Sequence, residues 1–259
     1  MKKKGGCMDF SGTFEDFQKV IRENGGDIQI MEREVGLDTQ MAYMRISKEV
    51  KKTLSPLKAM AGKYELWDEN SSAKSKRYRL TTIASLGSPD AIRILQGYQD
   101  APDRGLEDWT YLALQECKLI FQASMLDHPP MFISTGLGGR GQQLRFFGAF
   151  FSEDGQPFED TRKKVISGEV EYMFSKFGGK LEFLAFSGQF VTFWGLVPID
   201  VSLNEKVQAA IDESNLLGAG LRKDFVLTNV KKLTFNELGG ILEKIKNGKL
   251  GNSNGEQPF

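Results

Sequence analysis

Residues 131–151, MFISTGLGGRGQQLRFFGAFF, constrain the fold of this chain more than any other stretch. Two apolar runs flank a glycine-rich, basic segment. That pattern predicts a β-hairpin, residues 131–137 against residues 144–152, with Gly138, Gly139, Arg140 and Gly141 at the tip. Before this stretch the apolar spacing is helical, and after it strand and helix patterns alternate. A chain of 259 residues is long enough for two lobes that each bury a core. The reading is therefore a helical lobe over residues 1–127, an α+β lobe over 128–248, and a tail over 249–259.

The front half opens on a short amphipathic helix predicted over residues 14–23, with Phe14, Phe17, Val20 and Ile21 on one face and Thr13 as its cap. Residues 27–36 read equally as strand or helix. A helix is expected over 39–54, ended by Ser55-Pro56 because proline disfavours a helical residue before it. A second follows over 56–67, with Pro56 in the first turn, where a missing N–H costs nothing. Residues 68–76, DENSSAKSK, read as an exposed loop.

Residues 78–121 carry Leu86-Gly87 at a helix end, then Ser88-Pro89-Asp90-Ala91 opening a helix with Ile92, Ile94 and Leu95. A DAPD break at 100–103 follows, then a helix with Leu106, Trp109, Leu112, Ala113, Leu114 and Cys117. This segment resembles a HEAT-like helical repeat. The resemblance implies a packing and binding scaffold and no chemistry of its own. Its local physics stands without the family: Gly87 suits a left-handed helix end, and Ser88 caps the helix that Pro89 starts.

After the hairpin, a helix is expected over 158–177. Two strands then flank Ser187-Gly188-Gln189, followed by a helix over 203–216, a strand over 225–230 and a helix over 235–245. The order is ββαββαβα, an antiparallel sheet with helices. Phe146, Phe147, Phe150 and Phe151 fall on alternate faces, as do Phe190, Phe193 and Trp194, so both faces should be covered. The expectation is that one face meets these helices and the other meets the helical lobe or a partner subunit.

Chemistry-bearing patterns are sparse. His128 is the single histidine, which leaves no His-pair metal site and no visible base partner. Cys7 and Cys117 are the two cysteines, in unlike settings, which points to a reducing cytoplasm rather than a disulfide framework. No run of about 18 apolar residues suggests a membrane span, and no cofactor or metal is expected. The glycine-rich loop offers an anion cradle from Gly138, Gly139, Gly141 and Arg140, with Arg145 as a second donor and Ser134-Thr135 beside it. Arg222, Lys223, Lys231 and Lys232, with Lys2 to Lys4, offer a basic patch for nucleic acid, although the formal net charge is +0. The leading expectation is a non-enzymatic interaction or assembly adaptor with a protein partner or self-association. The alternatives are a phosphate- or nucleotide-responsive domain and an RNA- or ribosome-associated factor.

Overall fold

The computed structural model describes residues 28–126 and 131–247. The helix expected over 14–23, Cys7, Lys2 to Lys4, His128 and the tail over 249–259 lie outside the described residues. The protein is α+β, and its described residues divide into two compact units, 35–126 and 28–34 together with 132–247.

The first unit is helical. Its elements are α1 (Leu37–Thr53), α2 (Pro56–Ala61) running into a 3-10 turn (Gly62–Leu66), α3 (Ala73–Ala84), α4 (Pro89–Gln99) and α5 (Glu107–Met125). The expected loop over 68–76 is shorter than the sequence suggested. Ser72 accepts a hydrogen bond from the Ser75 N–H, and that cap starts α3 at Ala73, so residues 73–76 of the expected loop are helical. Ser88 caps α4 in the same way, through the Ala91 N–H, and Gly87 before it takes φ 55°. α3 packs on α1, α4 and α5. Leu80, Ile83 and Ala84 of α3, Leu95 and Tyr98 of α4, and Trp109, Ala113 and Cys117 of α5 are all buried.

Polar side chains tie these helices together. Glu116 on α5 accepts from the Tyr43 hydroxyl at 2.5 Å, the Ser47 hydroxyl at 2.5 Å and the Lys51 ammonium at 2.6 Å, three residues one turn apart on α1. Burial raises the Tyr43 pKa well above its ordinary value, and the nearby Glu116 carboxylate raises it further. Lys76 on α3 is 4% exposed and pairs with Asp103, which also accepts from the Tyr98 hydroxyl at 2.8 Å. Burial first, then that hydrogen bond, pushes the Tyr98 pKa up to about 12.

The second unit is built on β4 (Gln143–Ser152), whose neighbours are β6 (Phe190–Pro198) on one side and β3 (Gly139–Arg140) with β7 (Leu221–Thr228) on the other. β5 (Lys180–Ser187) pairs with β6 and is the last strand. All these pairings are antiparallel. The expected long hairpin is corrected. β3 and β4 meet in a tight turn at Gly141-Gln142, whereas β2 (Met131–Ile133) pairs with β1 (Ile28–Ile30) in a separate two-stranded sheet. The ambiguous stretch over 27–36 thus begins with a strand belonging to the second unit, which the expected all-helical lobe over 1–127 did not include.

The strand alternation divides the core as the aromatic pattern suggested. Phe150, Val191 and Phe193 face α6 (Asp160–Lys176) and α7 (Leu203–Leu216). Phe147, Ala149 and Phe151 face α8 (Phe235–Lys246), against Leu238 and Leu242. The second face is therefore covered by the chain's own last helix, where the sequence suggested the helical lobe or a partner. A capping box between Thr234 and Glu237 starts α8.

Candidate functional site

The glycine-rich loop turns its polar groups inward. Leu137 N–H donates to the Asn229 carbonyl at 2.9 Å, and Gly138 N–H donates to the Thr135 carbonyl at 3.3 Å. Gly138 has φ 68°, and a Cβ there would lie 2.7–2.9 Å from the carbonyl oxygens of Met31, Glu32 and Arg33. A Cβ on Gly136 would lie 1.7 Å from the Val230 oxygen. These glycines admit close backbone approach, and the atoms that approach are acceptors. An anion cradle needs converging donors instead.

Arg145 is committed as well. Its Nε and Nη2 grip Glu182 at 2.5 and 3.1 Å, and its Nη1 donates to the Leu137 carbonyl at 2.9 Å. That hydrogen bond to Arg145 lowers the Glu182 pKa. Gly139 is buried, while Arg140 and Gly141 are exposed at the short turn. Ser134 and Thr135 are turned to Met31 Sδ and the Gly138 carbonyl, at 3.4 and 3.2 Å.

Three of the four basic residues singled out in the second unit are paired. Arg222 binds Asp224 at 2.8 Å, Lys231 binds Glu237, and Lys232 binds Glu34 at 3.0 Å while sitting 4.7 Å from the centre of the Trp194 ring. Lys223 is exposed. Neutralised cations offer little to a phosphate backbone. Among the described residues, no group of three His, Cys, Asp or Glu is placed to hold a metal ion. Among them too, no helix is long and apolar enough to cross a membrane.

The feature that remains unaccounted for is the outer edge of β5. This eight-residue strand pairs on one side only among the described residues. A strand edge exposes alternate N–H and C=O groups that can pair with another strand. Two devices guard its beginning: the charge of Lys180 and a register shift between Leu181 and Phe183, where Glu182 is the additional residue. Beyond the shift, residues 183–187 run in regular register with β6.

That regular half carries the aromatic surface. The Phe183 ring stacks on Trp194, centroids 3.8 Å apart and planes 12° from parallel, yet it is 40% exposed. Ala185 and Ser187 follow it on the same face, opposite Thr192 and Phe190 of β6. On the other face, Phe186 meets Phe158 at 5.8 Å, which lays residues 153–160 beside the end of the strand. That loop exposes Glu153, Asp154, Glu159 and Asp160, whereas the start of β5 lies between exposed Lys176 and Lys180. Asp154 and Asp160 are paired with Arg162 and Lys163, so the edge runs from a basic end to one where Glu153 and Glu159 remain exposed.

No family model and no curated protein sequence matches this chain.

Sequence reading did not single out Phe183 or Ala185, and named Trp194 only as part of an alternating sheet face. Their signal was present in KLEFLAF, a strand-like run in which Phe183 and Ala185 fall on one face and Leu184 and Phe186 on the other. What it lacked was the strand order that makes β5 terminal.

Proposed function

We propose that this protein is a non-enzymatic assembly protein that binds its protein partner by strand addition at β5. The observation that carries the reading is the open, regular half of that edge with a partly exposed Phe183 stacked on Trp194. Strand addition takes affinity from main-chain hydrogen bonds and specificity from alternate side chains, and this edge supplies both. The helical unit supplies a second apolar surface, with Leu57, Tyr64 and Trp67 exposed on α2 and the turn after it. A scaffold role for the HEAT-like segment belongs to the same proposal, as does a cytoplasmic setting. The phosphate-responsive reading has less support, because the Leu137 and Gly138 N–H groups and Arg145 are occupied and Arg140 is the one exposed arginine left at the loop. The nucleic-acid reading has less support because three of its four cations, Arg222, Lys231 and Lys232, are paired.

The test replaces Phe183 with a photo-crosslinking phenylalanine in the full chain, with Asp212 on α7 replaced as the control. Irradiation in cells should give a discrete protein adduct at 183 and none at 212. Equal or absent crosslinking at both positions would contradict the reading.

A further inference from the structure

We infer that the strand added to β5 is the β5 strand of a second copy of this chain, related by a two-fold axis through Ala185. The inference rests on the proposed strand addition and names its occupant. An isologous contact must be self-complementary, because each surface feature meets its counterpart after rotation. This edge satisfies that demand in three respects.

The first is register. Only residues 183–187 follow the sheet without a shift, and Ala185 is their centre. Antiparallel pairing about Ala185 sets Phe183 opposite Ser187 of the second copy and Leu184 opposite its Phe186. Directly opposed residues share a face, so each exposed Phe183 ring falls beside two small side chains, Ser187 and Ala185. The Phe183–Trp194 stack then has room to be covered without displacing a neighbour.

The second is charge. Asp154 and Asp160 are already paired with Arg162 and Lys163 of the same chain, which leaves Glu159 exposed, and rotation turns the Lys176 and Lys180 end of one edge towards the Glu159 end of the other. An extended peptide from an unrelated protein would have to supply that basic-to-acidic polarity by chance. A second copy supplies it by symmetry.

The third is the layer above the strand. α6 packs on β5 and begins just after Glu159 and ends at Lys176. Two such helices flanking the axis run antiparallel. The negative end of each helix dipole, with Lys176, lies towards the positive end of the other, with Glu159 at its N-cap.

Three measurements on the full chain test this. In a Cys7→Ser background, Ala185→Cys should form an interchain disulfide under mild oxidation, because directly opposed strand residues lie about 4.5–5.5 Å apart at Cα. Sedimentation should give the mass of two chains at tens of micromolar. Lys176→Glu or Glu159→Lys alone should weaken association by about 3- to 5-fold, and the two together should restore it. Both substitutions are on exposed residues, so the fold should survive them. A chain that stays monomeric, or a dimer in which Ala185→Cys does not crosslink, would overturn the inference. The mass of the adduct at position 183 separates the two levels. Twice the chain mass supports a second copy. A different protein there ends the inference and leaves strand addition standing, and no adduct ends both.

Discussion

The two units use polar and apolar side chains in opposite ways. In the helical unit, carboxylates are drawn between helices: Glu116 holds three α1 residues, and Asp103 holds Lys76 and Tyr98. In the sheet unit, the interior is aromatic and its ion pairs sit at the rim, as with Arg145–Glu182 and Lys231–Glu237. The lesson concerns where each unit has spare bonding capacity. Helices satisfy their own backbone, so the polar groups between them are side chains and all are spoken for. A sheet satisfies its backbone only through neighbours, so its last strand keeps capacity that side-chain packing cannot use. Association is therefore expected at the sheet edge rather than at the helical unit's buried polar ties.

The aromatic core of the sheet unit should be the most sensitive to truncation. Phe150→Ala removes a ring that is 1% exposed and packed 4.9 Å from Phe193, and should cost about 3–5 kcal/mol by denaturant unfolding. A loss below about 1 kcal/mol would mean that the sheet core is not close-packed. Next in size is Glu116→Ala. It strands the buried Tyr43 and Ser47 hydroxyls and should cost about 2–4 kcal/mol, while Tyr43→Phe in that background should recover part of the loss. If the second substitution adds its full cost instead, the two residues are not coupled.

The smallest effect lies at the rim. The Lys231 ammonium first, then the Thr234 N–H and hydroxyl, hold the Glu237 carboxyl at about 2, below its ordinary 4.5. A depressed carboxylate pKa adds stability that is fully present above pH 4.5 and is lost as pH falls through about 2. Glu237→Gln should flatten that part of the pH–stability curve and leave the neutral-pH melting temperature nearly unchanged, as expected for a solvent-exposed pair.

What the sequence disclosed depended on the range of the interaction. The helix over 203–216 and the strands on either side of Ser187-Gly188-Gln189 were legible because period, cap and turn are local. The first hairpin was misread because the partner of residues 131–133 is Ile28–Ile30, about a hundred residues upstream. Its glycines looked like a turn, but Gly138 lies against the backbone of residues 31–33 instead. Arg145 looked like a ligand donor because nothing local reveals that Glu182 is waiting one bulge into β5. The candidate edge was hidden for the same reason. Whether KLEFLAFS is a central or a terminal strand is a property of the order β3-β4-β6-β5, which no window of the sequence contains.

Amide hydrogen exchange tests the central claim most directly, because it reads the backbone groups of the edge themselves. The alternate amides of residues 183–187 that face away from β6 should exchange quickly in dilute protein and become protected as concentration rises, while the amides of the same run that face β6 stay protected throughout. Exchange at 183–187 that is the same at every concentration would contradict the account.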